Sequence, residues 1–314
     1  MDQSPNPVTD TRASPAQALK QSLMHQGYVA DDSLVSSLYL MQALNKPLLL
    51  EGDAGVGKTE VAKVLAQALG TTLIRLQCYE GLDSTQALYD WDYQRQLLAI
   101  QMAGNSSANN LHDEIYSDRY LLQRPLLKAI RAEQPVVLLI DEIDRADEEF
   151  EAFLLELLSD YQISIPELGT VTAASIPWVL LTSNGVRELS DALRRRCLYH
   201  YIDYPDQQKE LSILQTRLPD LNPQLAQQIV NFVQNLRTRQ LNKTPGIAES
   251  LDWAAALANL QVSDLQQALD SVETTLSCIV KTREDLQLLQ ETPDFMQSLI
   301  APEHEHNNQA PAPD

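Results

Sequence analysis

Residues 47–63 read PLLLEGDAGVGKTEVAK, and three kinds of segment meet there. The apolar run PLLLE has no polar position until its end, which fits a short strand buried on both faces of a parallel sheet. A turn with glycines at 52, 55 and 57 follows. Beyond Lys58, the apolar residues Val61, Val64, Leu65, Ala68 and Leu69 keep helical spacing up to Gly70, a C-terminal stop. Strand, glycine loop and helix are the context in which G-x-x-x-x-G-K-T binds phosphate. Glycines let backbone N–H groups turn inward around a β-phosphate, and the helix N-terminus adds its dipole. Lys58 then reaches the outer phosphates and the Thr59 hydroxyl takes a Mg²⁺ position. Gly52, Asp53, Ala54, Gly55, Val56, Gly57, Lys58, Thr59 and Glu60 are therefore the candidate ATP-binding residues.

A phosphate loop needs an acid at the end of another strand to hold the Mg²⁺ shell. VVLLI, residues 136–140, is the most hydrophobic strand candidate, and Asp141 follows it directly. Taken alone, DEID reads as an acidic helix N-terminus; paired with the loop it reads as a Walker B segment. Asp141 is then a metal ligand with Thr59, and Glu142 the base towards an attacking water. A third strand, WVLLTS at 178–183, ends at Asn184, whose amide can hydrogen-bond a γ-phosphate and the water that attacks it. Strands are also expected at 72–77 and 199–203, helices at 120–132 and 147–158, and a β-hairpin at 161–174. The alternation predicts an α/β fold with a doubly wound parallel sheet. Beyond residue 205 only helical spacing remains, at 206–217, 223–238, 247–260 and, with breaks, 262–298.

Charge narrows the function classes. The 314 residues carry 43 Asp+Glu against 23 Lys+Arg, a formal net charge of −20, which repels nucleic acid and lowers the expectation of a DNA or RNA motor. Against that background Arg194, Arg195 and Arg196 stand in a row, in DALRRRC at 191–197. Three scattered cysteines indicate neither a zinc knuckle nor a disulfide framework, and fit a reducing cytoplasm. No segment resembles a signal peptide or a membrane span. Both ends are polar and Pro-rich, and read as mobile tails; His304 and His306 in the second lack the scaffold of a metal site.

The order of phosphate loop, Walker B strand, hairpin, Asn-tipped strand, arginine cluster and helical region resembles AAA+ ATPases, and within them the MoxR family. LIRLQCYEGLD, LYDWDYQRQLL, LLIDEIDRAD, LSDALRRRCLYHYIDYP and TPGIAESLDW are similar to its CoxD-like branch, over roughly residues 30–270. The resemblance implies an AAA+ P-loop NTPase fold with a C-terminal all-helical lid. The expected domains are a flexible N-terminal segment and leading helix at 1–30, the ATPase core at 31–204, the lid at 205–300 and a disordered tail at 301–314. It implies a hexameric ring in which an arginine of one subunit reaches the γ-phosphate held by the next. Arg196, before Cys197, is the first candidate for that arginine and Arg194 the second, with Arg195 serving the interface. It further implies a chaperone that remodels or matures a metalloenzyme client with a von Willebrand factor A (VWA) domain partner, with the hairpin and an insert near 79–96 facing the pore or the client. The rival reading is a nucleic-acid-dependent motor or clamp loader. One departure stands out: many MoxR proteins have an arginine after the Ser/Thr-Pro of the lid, whereas Thr244-Pro245 precedes Gly246 here, leaving Lys243 or Arg239 as possible substitutes.

Overall fold

The computed structural model describes residues 14–103 and 114–290. The expectations for the extreme N-terminal residues, for helix beyond residue 290 and for the C-terminal tail with His304 and His306 lie outside the described residues. The chain divides into two compact units: one holds the described residues up to Asp53 together with Lys58–Asp203, the other Ala54–Gly57 with the residues from Tyr204 onward.

In the first unit the central sheet is built from β1 (Leu48–Glu51), β2 (Leu73–Gln77), β5 (Val137–Asp141), β8 (Trp178–Ser183) and β9 (Leu198–Tyr201). Their order is β2-β5-β8-β1-β9, with every neighbouring pair parallel. Central strands of a parallel sheet are covered on both faces, so they read as continuous apolar runs. Accordingly all five residues of β5 are buried, and so are the last five of β8. After helices α1 (Pro15–His25) and α2 (Asp32–Leu44), which precede β1, helix α3 (Lys58–Leu69) follows β1 and buries Val61, Ala62, Val64, Leu65 and Ala66. Helix α7 (Glu148–Asp160) is capped by Asp147, whose side chain accepts from the Phe150 N–H, and it sends Phe150, Leu154, Leu157 and Leu158 into the core below β5. The hairpin is present as β6 (Gln162–Ile165) paired antiparallel with β7 (Gly169–Thr172).

One segment differs from the sequence expectation. Residues 120–132 are not one helix: Leu121–Gln123 form strand β4, paired antiparallel with β3 (Tyr89–Trp91), and helix α6 spans Pro125–Ile130 only. Pro125 is the reason. Its ring disfavours helical backbone in the residue before it, and Arg124 is extended at φ −89, ψ 173, so the helix starts at the proline. Strand β3 lies between a short helix α4 (Ser84–Ala87) and α5 (Tyr93–Ala103).

Among the described residues the second unit is helical, with α9 (Gln207–Arg217), α10 (Pro223–Arg237), α11 (Ile247–Asn259), α12 (Leu269–Thr275) and α13 (Arg283–Gln290). Its core centres on Phe232 and Trp253, whose ring centroids are 4.8 Å apart. The buried Trp253 Nε1–H donates to Thr275 Oγ1 at 2.8 Å, which satisfies its one polar atom. Glu210 is fully buried and pairs with Arg237, Nη1 to Oε2 at 2.6 Å, while Ser250 Oγ donates to Glu210 Oε1 at 2.7 Å. Arg237 Nε donates to the Pro245 carbonyl at 2.8 Å, tying down the loop before α11.

Candidate functional site

In an open parallel sheet the strands all point the same way, so residues just beyond their carboxyl ends line up along one edge. Here Ile140 is in register with Leu181, and Glu51 with Ser183. Asp141, the Thr182–Asn184 tip and the loop after Glu51 therefore stand side by side, although they are far apart in sequence.

Thr59 sits in the first turn of α3. Its hydroxyl lies 3.0 Å from Asp141 Oδ1 and 3.2 Å from Oδ2. Thr182 Oγ1 donates to Asp141 Oδ1 at 2.5 Å and accepts from the Glu142 N–H at 2.9 Å, so one hydroxyl joins the tip of β8 to both acids. Glu142 has a left-handed backbone, φ 56 and ψ 51. Non-glycine residues adopt this conformation at a steric cost, and such positions cluster at functional sites. It turns the Glu142 carboxylate out of the line of β5 towards Arg145, whose Nη1 lies 3.2 Å from Oε2.

The turn itself carries left-handed glycines, Gly55 at φ 86 and Gly57 at φ 96, a backbone that side chains strain. Lys58 is buried, and its Nζ donates to the carbonyls of Gly52 at 2.7 Å and Asp53 at 2.6 Å. Burial lowers its pKa from the ordinary lysine value, against the opposing pull of Asp144, Asp53, Asp141 and Glu142. Of the other loop residues Val56 is buried, and Asp53 and Ala54 are exposed. Glu60 pairs with Lys63 at 3.3 Å along the helix.

Two buried acids hold the segment from Asn184 to the arginines. Asp144 is 3% exposed, and its Oδ2 accepts from the backbone N–H of Asn184 at 3.1 Å and of Val186 at 2.9 Å; its Oδ1 has no hydrogen-bond partner. Glu151 accepts from the Ser190 N–H at 2.9 Å and pairs with Arg187. Ser190 in turn caps the short helix α8 (Asp191–Arg196). On that helix the three arginines differ. Arg194 reaches back to Glu51, Nη2 to Oε2 at 3.3 Å. Arg195 is exposed. Arg196, also exposed, donates from Nε to Ser159 Oγ at 2.7 Å and from Nη1 to the Ala192 carbonyl at 3.2 Å.

Sequence reasoning assigned no role to Asp144, Glu151 or Arg75. The signal for Asp144 was an acid three residues past Asp141. For Arg75 it was a charge inside the otherwise apolar strand β2, where Arg75 Nη2 reaches Asp141 Oδ2 at 2.6 Å. The candidate substitutes for a lid sensor are placed thus: the Lys243 N–H donates to Asp285 Oδ2 at 3.1 Å, and Arg239 is exposed.

Among the described residues no three His, Cys, Asp or Glu side chains are grouped to hold a metal ion. The donors present, the Thr59 hydroxyl beside the Asp141 carboxylate, are hard oxygens. They fit Mg²⁺, which keeps most of its shell for water and phosphate and takes few protein ligands.

Residues 47–197 match the family described as AAA domain (dynein-related subfamily). An uncharacterized protein of Staphylococcus haemolyticus is 27% identical over 265 residues, covering 82% of this chain and 91% of its own length. An uncharacterized protein of Staphylococcus aureus is 27% identical over 270 residues with the same coverage. Among solved structures, a Thermotoga maritima RuvB mutant is similar at 17% identity and TM-score 0.49, covering 90% of this chain and 78% of that one. The fold is α/β, a five-stranded parallel sheet with a glycine-rich turn between β1 and α3 and, among the described residues, a helical C-terminal region. No helix among the described residues is long and apolar enough to cross a membrane.

Proposed function

We propose that the chain is a Mg²⁺-dependent ATPase that works as a ring, probing and remodelling a protein client in the cytoplasm. The observation that carries this is the junction at the sheet edge, where Thr59, Asp141 and Thr182 share hydrogen bonds while Glu142 and Asn184 leave the same two strand ends. Lys58 and the loop N–H groups bind the phosphates. Thr59 and Asp141 would hold Mg²⁺, which when bound would supply charge neutralisation for the phosphates. Asn184 orients the attacking water, and Glu142, once released from Arg145, takes its proton.

The arginine cluster supports a seam between subunits. Arg194 is engaged within its own chain by Glu51, whereas Arg196 ends its helix exposed and held by neutral groups only, so Arg196 is the guanidinium offered to the neighbour's γ-phosphate, with Arg195 beside it. The exposed apolar side chains of α5, Tyr93, Leu97, Leu98 and Met102, support a client-facing or pore-facing surface on the insert. By its resemblance to the MoxR family, the client is a metalloenzyme and the cooperating partner a VWA-domain protein.

Two variants test the reading. Glu142→Gln retains ATP binding and loses hydrolysis; Lys58→Ala loses binding. Wild-type turnover no higher than that of both variants, measured under assembling conditions with a partner present, would refute it. ATP turnover stimulated by DNA or RNA and lost as salt rises would favour the nucleic-acid motor instead.

A further inference from the structure

Strand β2 reads LIRLQ, and its charged residue does not simply face water. Arg75 Nε and Nη2 donate to Asp141 Oδ2 at 2.9 and 2.6 Å. The Asp141 carboxylate is 2% exposed, while the Arg75 side chain is 49% exposed. Oδ1 of the same carboxylate already takes the hydroxyls of Thr182 and Thr59. A carboxylate oxygen accepts about two hydrogen bonds comfortably, so the two from Arg75, with the Thr59 hydroxyl also 3.2 Å away, fill Oδ2.

We propose that Arg75 is a built-in counter-cation for Asp141, one that the Mg²⁺ shell displaces when nucleotide binds. A buried carboxylate with no cation near it is costly. The guanidinium removes that cost while no metal is bound, and it does so from a position it can leave. The half-exposed side chain can swing into water, and Nη2 already has a second acceptor, Gln77 Oε1, two residues along the strand. The guanidinium covers one oxygen of the carboxylate that would face the Mg²⁺ shell. Arg75 therefore sets how much Mg²⁺ is needed to bind nucleotide, and keeps Asp141 from repelling phosphates when Mg²⁺ is scarce. This inference rests on the ATPase reading.

The test is binding of a fluorescent ADP analogue to the full chain, read both in EDTA and across a Mg²⁺ titration. Arg75→Gln is expected to lower the Mg²⁺ midpoint roughly tenfold, the scale of losing one competing, half-screened charge-assisted pair. In EDTA the same variant is expected to bind the analogue several-fold more weakly, because Asp141 is then uncompensated. Opposite signs are the signature, since a merely structural lesion weakens binding in both conditions. Arg75→Lys keeps the charge without the two-pronged contact and is expected to fall between wild type and Arg75→Gln; it also serves as the readout if Arg75→Gln does not fold. A melting-temperature cycle without nucleotide adds an independent arm: Asp141→Asn is expected to restore stability lost in Arg75→Gln. A Mg²⁺ midpoint unchanged in both Arg75 variants, or shifts of the same sign in both conditions, overturns the inference alone. Wild type that binds no nucleotide with or without Mg²⁺ overturns the ATPase reading as well.

Discussion

Replacing Asp144 by alanine is expected to leave the protein folded and nearly inactive. Its Oδ2 holds the N–H groups of Asn184 and Val186, and its Oδ1 has no partner. Hydrogen bonds to a charged acceptor contribute about 1.5–3 kcal/mol each. Two terms reduce the loss: Val186 is exposed, so its N–H can turn to water, and alanine removes a buried carboxylate that is only half satisfied. The net destabilisation should be about 1–2 kcal/mol, or a melting shift of about 2–8 °C for a unit of this size. Activity is far more sensitive. Released from Asp144, the Asn184 backbone can drift by about 1 Å, and a displacement of that size in a positioning group costs on the order of 10² in rate. Calorimetry and steady-state ATPase assays on wild type, Asp144→Ala and Asp144→Asn decide the matter. The asparagine keeps one oxygen able to accept both N–H groups, so it should retain activity within about tenfold of wild type. If Asp144→Ala kept kcat within threefold of wild type, or if the asparagine variant lost as much kcat as the alanine one, Asp144 would not be acting through the Asn184 loop.

Further outcomes are expected elsewhere. Burial lowers the Lys58 pKa; its charge is present below that depressed value and lost as pH rises through it. Nucleotide affinity in equilibrium titrations should therefore fall at a pH below the ordinary lysine range, and Lys58→Arg, which stays charged, should abolish the fall. Arg196→Ala and Glu142→Gln, each about 10³-fold or more down in kcat when assayed alone, should regain part of wild-type turnover when mixed, because some seams then join an intact acid to an intact arginine. No recovery on mixing, in a preparation shown to be assembled, would place Arg196 away from the seam. In the second unit Glu210→Ala leaves Arg237 buried without its acidic partner and should cost about 3–5 kcal/mol, seen as a large drop in that unit's thermal transition. The half-exposed Glu60–Lys63 pair should itself contribute less than about 1 kcal/mol, read as the coupling energy of a Glu60→Ala, Lys63→Ala double-mutant cycle in thermal melts.

Much of the architecture is legible in the sequence because it follows from local rules. The burial of β5 and β8 follows from uninterrupted apolar runs, and the start of α3 from glycines that free the backbone followed by a 3.6-residue apolar period. The single clear misreading, a helix over 120–132, comes from giving periodicity precedence over Pro125, whose steric effect on Arg124 is itself a local rule. What no window of sequence contains is strand order. Asp141 meets Thr182, and Glu51 lies level with Ser183, only because the sheet runs β2-β5-β8-β1-β9. The same ordering brings Arg75 to Asp141 across a β2–β5 pairing of residues more than sixty positions apart, and folding the chain back over α7 gives Glu151 its hold on Ser190. Residue types and short spacings thus determine which side chains can do phosphate chemistry. Which of them share a proton, a metal or a carboxylate oxygen depends on long-range pairing, and only the tertiary structure decides that.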